Sequence, residues 1–458
     1  MITRTLASWI AGLRHEAIPT DVVRTLRLLS LDTFGSALAG RGLPWTDAIE
    51  AWAKAGGTPA AGHAATVWGE STPCLRASDA ALVNGAAAHG FELDDFHNAK
   101  LHLGAVMLPT VFALAETLQV DSRRIEVALA AGYEVAIRSS LALGPAQARL
   151  RGWHLTAVCG PLGAAAAASV MLGLDAERTA WALGLAGTQS SGLYAFSSDG
   201  TDTKRFHPGR AAQAGLMSAE LAWHGLTGPT QIYEAADGGL LKAFVDRPDP
   251  ERLVADLGEY WHAPRTNFKP YGCCGSVHAH VDAALALRPE WTGSGAIRVG
   301  MPRVVDVQCG YTYRPGSALN AQMSGRYAIA VALLDGAVLP AQFEDSRLAG
   351  EDVTELANRI EIVADTDLDA RYPAQFCGWV EVETRSNGRS RIDVDNPSGS
   401  ADNPQRADGI LSKFAALATP SLGPESVARL QACFQTFPES SVQEILSLAV
   451  PSGVKRAG

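Results

Sequence analysis

Between residues 89 and 105 the chain places three carboxylates, Glu92, Asp94 and Asp95, among three histidines, His89, His97 and His102. Ionisable residues make up only 19% of the composition, and this run is flanked by alanine-rich apolar stretches. Such a concentration fits a pocket wall where imidazoles move protons and carboxylates orient them or set their charge. A solvated loop between two helices is the plainer alternative, although it would call for turn formers more than for clustered histidines.

Four further groupings carry polar side chains. In Gly152–Gly160, His154 precedes a Gly/Ala-rich helix, where small residues admit close approach and free N–H groups favour an anion. A core histidine satisfied by a backbone carbonyl is the competing reading. In Ser198–Arg210, Lys204, Arg205, His207 and Arg210 lie in a polar, turn-rich run that suits a small carboxylate, or else forms an ordinary surface loop. In Phe268–His278, Lys269 stands ahead of a proline at an expected domain junction, a favoured place for ligands. The adjacent Cys273 and Cys274 read as small core residues, not nucleophiles. In Gly310–Pro315, Tyr311 or Tyr313 with Arg314 could reach a pocket rim, or be a strand-end aromatic and its neighbour. Asp94, Asp95, His97 and His102 could ligate a metal, but their spacing matches no usual pattern and no metal is expected. The nucleophile elbow, the dinucleotide fingerprint and the phosphate loop are all missing from the sequence.

These groups need a scaffold. Up to about residue 265 apolar residues recur at three and four, predicting helices over 22–38, 77–88, 107–118, 124–140, 180–187 and 211–223. Ser78-Asp79, Asp175 and Pro19-Thr20-Asp21 mark helix starts. Beyond about residue 296 the period falls to two, predicting strands over 297–301, 304–308, 359–363, 379–384 and 391–395. The last two flank an Asn387-Gly388 turn. A helix is expected over 324–334, and closing helical segments over 410–418, 425–433 and 441–448. The fold expected is mainly α: a large all-α domain, 1–266 plus 400–458, with a smaller α+β lid domain, 267–399, inserted in it.

The 458 residues suffice for a large core, and a formal net charge of −10 disfavours a nucleic-acid partner. Seven cysteines, with no CxxC pair, fit reduced thiols and a cytoplasmic location. The N-terminus lacks a signal-peptide core. The longest uncharged run, 157–174, is rich in Ala and Gly and reads as a closely packed buried helix, so no membrane association is expected.

In order and spacing, His89–Pro109, Gly152–Asp175, Asp199–Gly215 and Lys269–Ala284 resemble the MmgE/PrpD family, which includes 2-methylcitrate dehydratase, cis-aconitate decarboxylase and iminodisuccinate epimerase. The resemblance runs from Asp32–Gly40 to the helix ending at Gly336, and 92–97, 152–154 and 269–275 look most like cis-aconitate decarboxylases. It implies a homodimer and a cofactor-free pocket between the two domains for di- or tricarboxylic acids. It carries functional roles onto Glu92, His102, His154, Lys204, Lys269 and Tyr311. The chain departs from the pattern at Glu92, where many members have Asp, at Phe96, where many have Thr, and at Leu103, where Pro is frequent. The first two changes alter pocket depth and remove a hydroxyl donor.

All three family reactions make or discharge negative charge beside a carboxylate, so cations and a proton-moving group are required. The assignment makes His102, His154, Glu92, Asp94 and Lys204 catalytic, and Lys269, Tyr311, Phe96 and His97 substrate-binding. The expected function is a cofactor-independent lyase on citrate- or aconitate-like acids. An epimerase of an imino- or aminodicarboxylate and a non-catalytic carboxylate-binding protein are the alternatives.

Overall fold

The computed structural model describes residues 1–60, 62–118, 120–385 and 388–451. The fold is mainly α. Its N-terminal helices are α1 (Ile2–Gly12), α2 (Thr20–Ala39), α3 (Pro44–Ala55), α4 (Ala77–Ala88), α5 (Gly104–Leu118), α6 (Ser122–Leu143), α7 (Pro145–Leu150), α8 (Leu155–Leu172), α9 (Ala176–Gly187) and α10 (Thr203–Trp223). Asp121 and Asp175 cap α6 and α9 by accepting the Arg123 and Arg178 amides. The helix α8 is apolar and long enough to cross a membrane by composition, yet it is almost wholly buried between α6, α9 and α10.

Apolar side chains gather into two large cores. The first draws on α1–α10 and on two late helices, α15 (Arg406–Gln435) and α16 (Val442–Leu448), which return to it. Phe112 and Phe434 stack there, and Phe34 meets both rings at a tilt. The second core surrounds a four-stranded sheet of β1 (Ile297–Met301), β2 (Ile360–Ala364), β3 (Gly378–Glu383) and β4 (Arg389–Val394), in the order β2-β1-β3-β4. β1 and β2 run parallel with Ile297 opposite Ile360, whereas β3 is antiparallel to both β1 and β4. The helix α11 (His278–Leu287) covers β3 and β4, while α12 (Arg303–Cys309), α13 (Gly325–Asp335) and α14 (Glu351–Arg359) fill the crossover between the parallel strands. Ser324 caps α13 by accepting the Tyr327 amide.

Two local expectations are corrected. Residues 304–308 were expected to be a strand and form α12 instead. Pro302 precedes its first turn, and Val305 and Cys309, four apart, both face the core while Val307 is exposed. Five residues with valines at 304, 305 and 307 satisfy either period, and Pro302 decides for the helix. The run 198–210 is also less turn-rich than expected, because α10 begins at Thr203 and carries Lys204, Arg205 and His207 buried in its first turns. The hairpin strands pair as expected, with Glu381 opposite Arg391; Asn387 of its turn lies outside the described residues.

A close crossing of α4 and α10 sets up the site. A Cβ on Gly209 would meet the Leu82 carbonyl oxygen at 2.1 Å, and one on Gly85 would meet the Gly209 Cα at 2.8 Å. Only glycine at both positions lets the backbones come this near. The contact brings the first turns of α10 against His89, which directly follows α4.

Candidate active site

Residues 89–103 form an irregular segment folded over the end of α4, and the chain holds it from several sides. Asp95 Oδ1 accepts the Leu103 and Gly104 amides at 3.0 and 2.9 Å, and Tyr133 donates its hydroxyl to Asp95 Oδ2 at 2.7 Å. Burial and the nearby Asp94 push the Asp95 carboxyl up to about 7. Phe96 and Asn267 exchange backbone hydrogen bonds, which draws the segment carrying Lys269 alongside. From α15, Lys413 Nζ donates to the Leu93 and Lys269 carbonyls at 2.5 and 3.1 Å, so a late helix fixes both sides of Glu92.

Glu92 is fully buried and has a left-handed backbone, φ 57°. One carboxylate oxygen accepts from Lys204 Nζ and the other from Lys269 Nζ at 2.9 Å. Burial alone would raise this carboxyl, but the two ammonium groups more than offset it and hold it well below the usual range. Lys204 also donates to His89 Nε2 at 2.7 Å, and His89 Nδ1 in turn donates to Asp94 Oδ2 at 2.8 Å. The direction follows from the ammonium, which has no lone pair, so His89 carries its proton on Nδ1. Burial, opposed by Asp94, drops His89 to about 3 and leaves it neutral. Burial would likewise raise Asp94, but His89, His102 and Lys269 outweigh it and keep it ionised. The Lys204 ammonium is shifted down by burial, with Glu92 opposing.

The other two histidines stand beside this relay. The His102 ring centroid is 4.4 Å from His89 and 6.3 Å from His154. His102 Nδ1 donates to the Asp95 carbonyl at 2.9 Å, which leaves Nε2 as the lone-pair nitrogen of the neutral ring. His154 sits just before α8, and its Nδ1 pairs with His207 Nδ1 at 2.8 Å. Burial lowers all three, with Lys269 adding to the shift of His102 and His207 to that of His154; His207 falls to about 4.

A narrow pocket opens over these groups. Of the expected site residues, Glu92, Phe96, His97, His102, His154 and Lys204 line it. Lys269 and Asp94 are wholly buried behind the lining, where Lys269 holds Glu92 in place of a ligand. Tyr311 is also off the wall: its hydroxyl donates to the Asn320 carbonyl at 2.6 Å, and Tyr313 packs in the second core. Phe96 stacks on Phe376, 5.7 Å between centroids. Among the lining residues that the sequence did not single out are Lys100, Arg149, Tyr194 and Gln308. Lys100 lies inside the acidic and histidine-rich run and was the one with a signal. Arg149, on α7, had none. His89, Asp94 and His102 offer ligand atoms within 4.8 Å of one another, the kind of group that could hold a metal, and the hydrogen-bonded chain described above accounts for that spacing.

Residues 4–253 match the MmgE/PrpD N-terminal domain model and residues 271–438 the MmgE/PrpD C-terminal domain model. The chain belongs to the MmgE/PrpD family. Among curated MmgE/PrpD-like proteins, the cis-aconitate decarboxylase-like protein oryM of Aspergillus oryzae is 30% identical over 98% of this chain and 97% of its own length. The cis-aconitate decarboxylase of Aspergillus terreus is 31% identical over 91% of this chain and 89% of its own. That of Mus musculus is 27% identical over 94% and 89%. In this MmgE/PrpD chain the longer side chain at Glu92 reaches both lysines at once.

Proposed function

We propose that the chain is a cofactor-independent lyase that decarboxylates cis-aconitate or a close structural relative. The observation that carries this reading is the state of Lys204. Its ammonium has three donors, spends two on Glu92 and His89, and keeps one for a ligand in the pocket, beside the neutral His102 and His154. The resemblance to cis-aconitate decarboxylases over nearly the whole chain supports the choice of acid.

The chemistry follows from these groups. Carbon dioxide departs from the CH2–COO⁻ arm, and the released electron pair forms a new terminal C=C. The original C=C pair moves to the CH beside the remaining carboxylate, and that carbon takes one proton. Cations near the carboxylate stabilise the charge that builds there. Lys204 is the donor best matched to the last step, because burial makes it a stronger acid than a solvated lysine while the neutral imidazoles are poor acids. The His89–Asp94 pair holds the ammonium in direction, and the His102 and His154 rings form the wall beside the reacting arm.

The test is proton NMR of the purified enzyme in deuterated water with cis-aconitate, citrate, 2-methylcitrate and iminodisuccinate. Decarboxylation of cis-aconitate, with one deuterium entering the methylene beside a carboxylate, is expected. Loss of water or solvent exchange without net change would redirect the reading to a dehydratase or an epimerase. Silence with all four acids would reject it.

A further inference from the structure

Two cations on the pocket wall take no part in the Glu92 cluster. Lys100 is half-buried and, like Glu92, has a left-handed backbone, φ 65°; its amide donates to the His97 carbonyl at 2.8 Å. Such a conformation disfavours any residue with a Cβ and persists where the surroundings enforce it, often at binding sites. The Lys100 ammonium donates to Gln308 Oε1 at 3.0 Å and reaches Ser276 Oγ at 3.5 Å, and it stands 5.0 and 5.3 Å from the Tyr372 and Phe376 rings. Arg149 stacks on Tyr194 with its guanidinium carbon 3.4 Å from the ring centroid, and Tyr194 meets His154 edge-on at 5.8 Å. Arg149 Nε is buried without a hydrogen-bond partner among the described residues.

Neither cation has a carboxylate partner among the described residues. The one lining carboxylate, Glu92, is already bracketed by two lysines. The wall therefore carries Lys100, Arg149 and Lys204 against a single acid, in a site whose histidines are neutral. A ligand with one carboxylate would engage one of these cations, whereas a tricarboxylate offers one carboxylate to each of the three. Ring stacking fixes the direction of Arg149, and hydrogen bonds to neutral groups fix Lys100, so little side-chain freedom is lost when an anion arrives.

We propose that Lys100 and Arg149 form the subsite that grips the non-reacting carboxylates and so sets a preference for tricarboxylates over shorter dicarboxylates. The proposal rests on the lyase reading above and supplies its specificity. Gln308 and Ser276 come from the part of the chain that builds the sheet-containing core, so the Lys100 subsite would sense both halves of the molecule at once.

The experiment pairs steady-state kinetics on cis-aconitate with calorimetric binding of two unreactive probes, propane-1,2,3-tricarboxylate and methylsuccinate. Lys100→Gln and Arg149→Gln are each expected to weaken tricarboxylate binding about tenfold or more, as loss of a charge-assisted hydrogen bond does. Methylsuccinate binding should change much less, and the kinetic loss should fall on KM more than on kcat. Circular dichroism checks folding; if Arg149→Gln does not fold, Arg149→Lys, which keeps the charge but not the stacked fork, takes its place. Unchanged tricarboxylate affinity in folded Lys100 and Arg149 variants, with the wild type still decarboxylating, would overturn the subsite alone. A wild type that binds the tricarboxylate through these residues yet turns over none of the acids would support the subsite and overturn the lyase reading.

Discussion

Lys204 is tied to Glu92 by charge and to His89 by a hydrogen bond, and these ties separate its two possible contributions. A fixed positive charge alone would survive replacement by arginine. Proton donation to carbon would not, because a guanidinium does not release its proton in the working range. Lys204→Arg is therefore expected to lower kcat by a factor of about 10² to 10⁴, the span usual for general acid catalysis. Substrate-analogue binding should fall far less. The wild-type kcat should hold at neutral pH and decline as pH rises through the Lys204 value, which burial places below that of a free lysine. Variant activity within tenfold of wild type would assign proton delivery elsewhere, with His102 the next candidate. The placement of Glu92 and His102 at one pocket was readable from their crowding in one short segment. The burial of Lys269 against Glu92 was not, because it depends on depth behind the wall.

At the scale of elements, the site depends on how closely α4 and α10 cross. Gly209→Ala would drive a methyl group into the Leu82 carbonyl oxygen, backbone that cannot yield without moving a helix. Overpacking of this kind costs about 1–3 kcal/mol, and backbone overlap lies at or beyond the upper end. We expect lower thermal stability together with a raised KM, since any retreat of α10 carries Lys204 and His207 away from His89 and His154. Wild-type stability in this variant would show that the crossing is slack. The helices themselves were largely legible, as in α4, whose bounds match the expected 77–88, and α13, which begins one residue past its Ser324 cap. The start of α10 was obscured by its composition. Thr203, Lys204, Arg205, His207, Pro208 and Gly209 read as a loop because helix propensity is overridden there by tertiary contact. Residues 304–308 failed for the opposite reason, a segment too short to separate a period of two from one of 3.6.

Across the whole molecule, buried neutral histidines link folding to pH. His89 and His97 in the first half of the chain, and His278 and His280 on α11, are all buried, and burial lowers the first three to about 3 and the last to about 4. In the unfolded chain each returns to an ordinary value near 6.5. Between these limits the unfolded state binds more protons, so stability falls as pH drops below about 6.5, by about 1.4 kcal/mol per pH unit for each uncompensated proton. Asp95 acts in the opposite sense. Its folded form keeps a proton up to about 7 while the unfolded form releases it near 4, so its contribution is lost as pH rises through that interval. His207 and His262, lowered to about 4, add to these histidines, while burial raises Asp32, Glu116, Glu134 and Glu220 in the sense of Asp95; the histidines act nearest to neutral pH, and the urea midpoint should rise from pH 4.5 to 6.5 and level off above. His280 bonds the Gly300 carbonyl at 2.9 Å and takes no part in the relay, so His280→Gln should make the slope shallower by about one proton's worth whatever it does to absolute stability. A midpoint that does not vary with pH over this range would mean that these histidines are not held neutral. Acid loss of activity would then track unfolding, whereas alkaline loss would track Lys204 in a protein that remains folded. Recording the urea midpoint beside kcat at each pH separates the two limbs.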